Sequence, residues 1–125
     1  MKEKLELEYT LNTSPKVIFS RLSTPSGLSE WFAEDVNQEG NFWTFRWDSV
    51  EQMAEVINLK ENKCIKYKWT DDEDPNSFFE FRIHQDDITG DLALHVTDFA
   101  ETAELEEARN LWDSQISCLK RAIGL

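Results

Sequence analysis

The 125-residue sequence predicts an α+β fold: a curved antiparallel β-sheet of about six strands wrapped around a long C-terminal helix, in the order β-α-α-β-β-β-β-β-α. Three observations predict it. Between residues 43 and 97, large apolar residues alternate with polar ones in short runs, the period of strands with one buried face. From Leu105 to Ile123 the spacing changes to three and four residues, the period of a helix with one apolar face. A sheet with one apolar face needs a cover, and a long amphipathic helix supplies one.

The elements follow in order. In residues 4–11, Leu5, Leu7, Tyr9 and Leu11 alternate with Glu6, Glu8 and Thr10, which reads as a half-buried strand. Ser14-Pro15 reads as an N-cap followed by proline at the first helical position, and Val17, Ile18 and Leu22 give that short helix its apolar face. Pro25 ends it, because the residue before proline avoids helical geometry. Ser26 is expected to cap a second short helix, with Glu30 near the spacing of a capping box. Leu28, Trp31 and Phe32 then share one helix face and anchor it to the rest of the domain.

After Gly40, Trp43, Phe45 and Trp47 alternate with Thr44 and Arg46. Strands over 52–59 and 63–70 follow, the second carrying Ile65, Tyr67 and Trp69 opposite Lys66 and Lys68. Asp74-Pro75-Asn76 is a turn, and 78–84 places Phe79, Phe81 and Ile83 on one face. Asp86 to Gly90 turns the chain into a last strand with Leu92, Leu94 and Val96 inward. These short connections favour antiparallel hairpins. Thr102 is the expected cap of the final helix, Leu105, Ala108, Leu111, Trp112, Ile116, Leu119 and Ile123 its apolar face, and Gly124 its stop.

Length suits one domain over residues 1–125. With 13 Lys and Arg against 25 Asp and Glu, the net charge is −12. Phosphate contacts need clustered cations, so a nucleic-acid partner is not expected, nor is adsorption to anionic membranes. The imbalance is local: 13 acidic residues and only Arg82 as a base lie between Asp71 and Ala108. That stretch reads as a solvated face or as a surface for a basic protein partner. Cys64 and Cys118 stand far apart without a CxxC motif, as reduced thiols of a cytoplasmic protein do. No signal peptide and no membrane span are expected.

The chain resembles the START-like superfamily, with its helix-grip fold. Within it, the likeness is strongest to small bacterial proteins related to the activator of the 90-kDa heat-shock-protein ATPase. The residues that carry it are SPKVIFSRLSTPSGLSEWFAEDV (14–36), GNFWTFRW (40–47) and LWDSQISCLKRAI (111–123). The resemblance covers nearly the whole chain, and its motifs are structural. It implies a cavity between sheet and helix, which relatives use for lipids, sterols, hormones or polyketides, while others bind a chaperone.

The expected function is therefore non-catalytic binding of a small hydrophobic or lipid-like ligand in that cavity, lined by Trp31, Trp43, Trp47, Tyr67, Trp69, Phe81 and Trp112, with the Tyr67 hydroxyl orienting the ligand. A cavity of at least about 300 Å³ is the size such a site needs. The same rings also suit a core that they fill themselves. Two alternatives stand beside this reading: a protein-interaction module, co-chaperone-like or homodimeric, using the acidic surface, and a cyclase- or hydrolase-type enzyme. No catalytic constellation is visible: neither Ser114 nor Cys64 has a base placed beside it by any motif, and Glu30 or Asp48 would serve as acid or base only if they lined a pocket. There is no glycine-rich phosphate loop, and no cofactor is expected. His84 and His95 fall on one expected hairpin, directly opposite each other, but on polar faces and without a third ligand; they read as a surface pair, not a metal site.

Overall fold

The structure is a computed structural model and describes residues 2–125. Seven antiparallel strands form one sheet: β1 (Lys2–Leu11), β2 (Asp35–Glu39), β3 (Phe42–Trp47), β4 (Val50–Lys60), β5 (Cys64–Trp69), β6 (Phe79–Gln85) and β7 (Leu92–Glu101). The helices are α1 (Pro15–Leu22), α2 (Pro25–Leu28) and α3 (Leu105–Ala122). The sheet order is β1-β7-β6-β5-β4-β3-β2, so β1 returns to lie beside the last strand while β2 to β7 run as consecutive hairpins. This is the expected helix-grip arrangement with one strand more, β2.

Short loops set the registers. Glu39 pairs with Phe42 across a two-residue turn whose Gly40 has φ +63°, a conformation that favours glycine. Trp47 pairs with Val50, and Lys60 with Cys64. A bulge between Val56 and Asn58 leaves Ile57 unpaired in the β4–β5 ladder, and such a bulge bends a strand locally. Ala54 faces Trp43 on one side and Trp69 on the other, and its methyl leaves room for both indoles.

The expected cap at Ser14 is present: its hydroxyl accepts from the Val17 amide at 3.2 Å. The second helix begins two residues before the expected position. Thr24, not Ser26, is its N-cap, accepting from the Gly27 amide at 3.0 Å, and Pro25 is its first residue rather than the end of α1. Glu30 reaches instead to Arg21 at 2.7 Å. The α-helical part of α3 starts at Leu105 after a 3-10 turn over Thr102–Glu104, so Thr102 lies outside the α-cap position.

The core lies between the concave sheet face and the helices. Leu5, Leu7 and Leu11 of β1, Leu92, Leu94 and Val96 of β7, and Trp112, Ile116 and Leu119 of α3 close one side. Aromatic rings fill the other. Tyr67 stacks on Phe79 at 4.7 Å, and Phe32 lies within 6.2 Å of six rings: Trp31, Phe45, Trp47, Phe79, Phe81 and Trp112. Tilted and edge-on pairs of this kind add about 0.5–1.5 kcal/mol each beyond the area they bury.

Candidate functional site

A cleft of about 290 Å³ opens where the ends of the strands meet the first half of α3. It is lined by Phe32, Trp47, Gln52, Trp69, Asp98, Leu111, Trp112 and Gln115. Each wall has a local reason. Trp47 and Trp69 are the last residues of β3 and β5, and their rings lie 6.1 Å apart. Leu111, Trp112 and Gln115 recur at helical spacing on one face of α3. Phe32 follows α2 in a turn held by its amide donating to the Leu28 carbonyl at 2.8 Å.

Polar atoms fix these walls. The Phe32 carbonyl accepts from the Trp47 indole N–H at 2.6 Å and from the Gln115 amide at 3.3 Å, which ties the α2 turn to both β3 and α3. Asp98, partly buried on β7, accepts from the Trp112 indole at 2.9 Å and from the Phe99 amide at 2.8 Å. Burial raises the Asp98 carboxyl above the ordinary carboxylate range, against the opposing pull of these hydrogen bonds.

The cleft adjoins a second depression of about 580 Å³ lined by Lys2, Gln52, Trp69, Asp71, Asp72, Glu73, Asp74 and Glu101. Gln52 and Trp69 belong to both. Lys2 is the cation in this lining, and it is engaged: its ammonium meets the Asp72 carboxylate at 2.6 Å. That contact holds Asp72 well below the usual carboxylate range. The loop over 71–78 is further tied down by Lys68, which donates to the carbonyls of Asp74 and Ser77.

Of the seven residues expected to line a cavity, the structure brings Trp47, Trp69 and Trp112 together at this cleft. Trp31, Trp43, Tyr67 and Phe81 do not line the cleft; they pack in the aromatic core, each at most 6% exposed. Their polar atoms are used internally. The Trp31 indole donates to the Arg21 carbonyl at 2.8 Å, and the Tyr67 hydroxyl to the Leu22 carbonyl at 2.7 Å. The Tyr67 hydroxyl is thus engaged at the end of α1 rather than at the cleft, and burial pushes its proton affinity up.

Sequence reasoning missed Phe32, Gln52, Asp98, Leu111 and Gln115 as walls of the cleft. A signal existed for two of them: Asp98 continues the inward parity of Leu92, Leu94 and Val96, and Gln52 that of Ala54.

Elsewhere the expected histidine pair takes a different register. His95 faces Arg82 and His84 faces Ala93, so the two are diagonal neighbours with ring centres 6.4 Å apart, and His95 meets Glu8 at 3.3 Å. Among the described residues, no group of three His, Cys, Asp or Glu side chains is placed to hold a metal ion. Cys64 and Cys118 are free thiols. Among the described residues, no helix is long and apolar enough to cross a membrane.

Comparison with known proteins agrees with this geometry. The chain shares 39% identity with a Bacteroides fragilis protein of known solution NMR structure, over 99% of this chain and 93% of that one, with a TM-score of 0.70. The solution structure of the Aha1 dimer from Colwellia psychrerythraea superposes with a TM-score of 0.82 at 19% identity, covering 98% of this chain and 97% of that one. An AHSA1-like protein from Aeromonas hydrophila gives 0.76 at 11% identity, over 97% and 92% of the two chains. The search of curated proteins returned no match. The START-like superfamily domain matches residues 1–125, and the chain belongs to that superfamily.

Proposed function

We propose that the chain works as one START-like domain that binds a small, largely apolar ligand without chemical change, at the mouth between the sheet and α3. The observation that carries this reading is the cleft itself: aromatic and aliphatic walls from Phe32, Trp47, Trp69, Leu111 and Trp112, with Gln52, Asp98 and Gln115 as a few convergent polar groups. That composition is typical of small-molecule sites. At about 290 Å³, the volume falls just short of the roughly 300 Å³ expected at the lower end for such sites, so the ligand is small. No hydroxyl or thiol side chain lines the cleft, and Asp98 is its one ionisable group. Reversible binding is the chemistry this lining supports.

Native mass spectrometry of gently purified protein, followed by organic extraction, tests the reading. A stoichiometric adduct that extracts as an apolar molecule, and is lost in Trp69→Ala, supports it. An adduct retained at full occupancy in Trp69→Ala and in Trp112→Ala places the ligand elsewhere.

A second reading is supported by the adjoining acidic depression and by the likeness to the Colwellia psychrerythraea Aha1 dimer and the Aeromonas hydrophila AHSA1-like protein. In it, the domain offers Asp71, Glu73 and Asp74 to a Lys- and Arg-rich segment of a protein partner, co-chaperone-like or a second copy of this chain. Asp71→Lys with Asp74→Lys then abolishes retention of a basic peptide, whereas the first reading leaves that surface inert. Asp72 is unsuitable for this test, because its carboxylate anchors Lys2.

A further inference from the structure

We propose that the cleft selects a small organic cation: an ammonium or quaternary ammonium group carried on a short hydrocarbon body. This rests on the cleft being the ligand site and goes on to name the chemistry of its occupant. Three independent features favour it.

First, the walls that meet at the opening are indoles. Trp47, Trp69 and Trp112 all line this one cleft, with the Trp47 and Trp69 rings 6.1 Å apart and Phe32 at 5.4 Å from Trp47 and 5.8 Å from Trp112. Indole faces are the best side-chain partners for an organic cation, and the attraction strengthens where water is excluded. Second, the one ionisable group in the lining is a carboxylate. Asp98 uses one oxygen for the Trp112 indole and the other for the Phe99 amide. A carboxylate has about four acceptor positions, so it retains capacity for a further donor or a contact charge. Third, the approach is negative. The adjoining depression contributes Asp71, Asp72, Glu73, Asp74 and Glu101, and its Lys2 is held by Asp72. A low-dielectric cleft beside a field of one sign concentrates ions of the opposite sign.

The same features work against the other candidates. A carboxylate or phosphate headgroup would meet Asp98 and the acidic rim without a free cation in either lining. A neutral hydrocarbon would fit the walls but draw nothing from Asp98 or the rim.

Three ligands of matched length separate these cases on the unmodified protein: hexyltrimethylammonium, hexan-1-ol and hexanoate. The readout is the indole N–H resonances in ¹⁵N–¹H NMR titrations, assigned through single Trp→Phe variants. The expected result is saturable shifts of Trp69 and Trp112 with hexyltrimethylammonium, about tenfold tighter than with hexan-1-ol, and none with hexanoate. Raising the salt should narrow the tenfold margin. In Asp71→Asn with Glu73→Gln, the cation should lose part of its advantage while hexan-1-ol binding is retained, and in Asp98→Asn the ratio of cation to hexan-1-ol affinity should fall. If hexan-1-ol or hexanoate shifts the cleft indoles as tightly as the cation does, cation selection is wrong while the cleft stands as an apolar site. If none of the three moves them, the cation proposal fails and the cleft reading fails with it.

Discussion

Gly27→Ala is a sharp test of how the aromatic cluster is anchored. Gly27 sits inside α2 where that helix crosses the end of α1. A Cβ there would lie 2.2 Å from the Ser20 carbonyl oxygen, 2.7 Å from the Arg21 Cα and 2.7 Å from the Thr24 hydroxyl. Ordinary contact begins near 3.4 Å, so the first overlap is about 1.2 Å, and it is against backbone. The Ser20 oxygen has little freedom to retreat, because it already accepts from the Thr24 hydroxyl at 2.6 Å. The two helices must therefore separate by roughly 1 Å, loosening Leu22 and Leu28, both fully buried. Overpacking of this kind costs about 1–3 kcal/mol, and backbone contact favours the upper end. Alanine's greater helix propensity returns about 1 kcal/mol. The net expectation is a loss of about 2 kcal/mol, or a fall in Tm of roughly 6–10 °C for a chain of this size. Differential scanning calorimetry and urea unfolding measure it. An unchanged or raised Tm would refute the close crossing of α1 and α2.

Tyr67→Phe should cost about 1–3 kcal/mol in urea unfolding, because it leaves the buried Leu22 carbonyl at the end of α1 without its donor; a cost under about 0.5 kcal/mol would show that the carbonyl finds another partner. Asp98 binds its proton more tightly folded than unfolded, so its linkage should stabilise the fold as pH falls from neutral through its raised folded value toward 3.8. Asp98→Asn should flatten that rise in urea midpoint, and an unaltered profile would count against a desolvated carboxylate. Asp72 acts in the opposite sense: its carboxyl is depressed by Lys2, so its stabilisation is present above 3.8 and is lost as pH falls below that. Lys2→Met should reduce the acid-side loss, and an identical acid limb in the variant would mean that the ion pair contributes nothing.

Much of this fold was legible because the residues obey short periods. Leu5, Leu7 and Leu11, then Trp43 and Phe45, then Phe79 and Phe81 all lie inward as their parity requires. Trp112, Ile116 and Leu119 form the buried face of α3. Strand β2 was not legible. Its sequence DVNQE holds one buried residue, Val36, and its strand character comes from pairing with β3 at the sheet edge, where polar residues are usual. The start of α2 was misplaced because Thr24, Ser26 and Pro25 offer competing signals, and only the Thr24–Gly27 contact decides among them.

The site was legible only in part, for a different reason. Parity gives the face on which a side chain lies, but not its depth along the strand. Trp43 and Trp47 share a face of β3, yet four residues of strand separate them by about 13 Å. Trp43, near the start of β3, packs in the core and is 3% exposed, whereas Trp47 at the strand end reaches the cleft. The same division separates Tyr67 from Trp69 on β5. Strand ends near the N-terminal half of the covering helix are thus where this aromatic face stops being core and becomes wall.

A filled core and an open cleft are therefore not rival descriptions of these rings. The deep rings leave Phe32 little freedom: it is 5% exposed and surrounded by aromatic neighbours, and its carbonyl is shared by Trp47 and Gln115. A wall held this firmly loses little conformational freedom when a ligand arrives, so more of the contact energy is available for binding. The same rigidity restricts size. An enlarged cavity would need Phe32 to leave a position fixed by β3, α3 and the α2 turn together. A large lipid would have to disrupt those contacts to enter, whereas a small ligand at the mouth would use them as they stand.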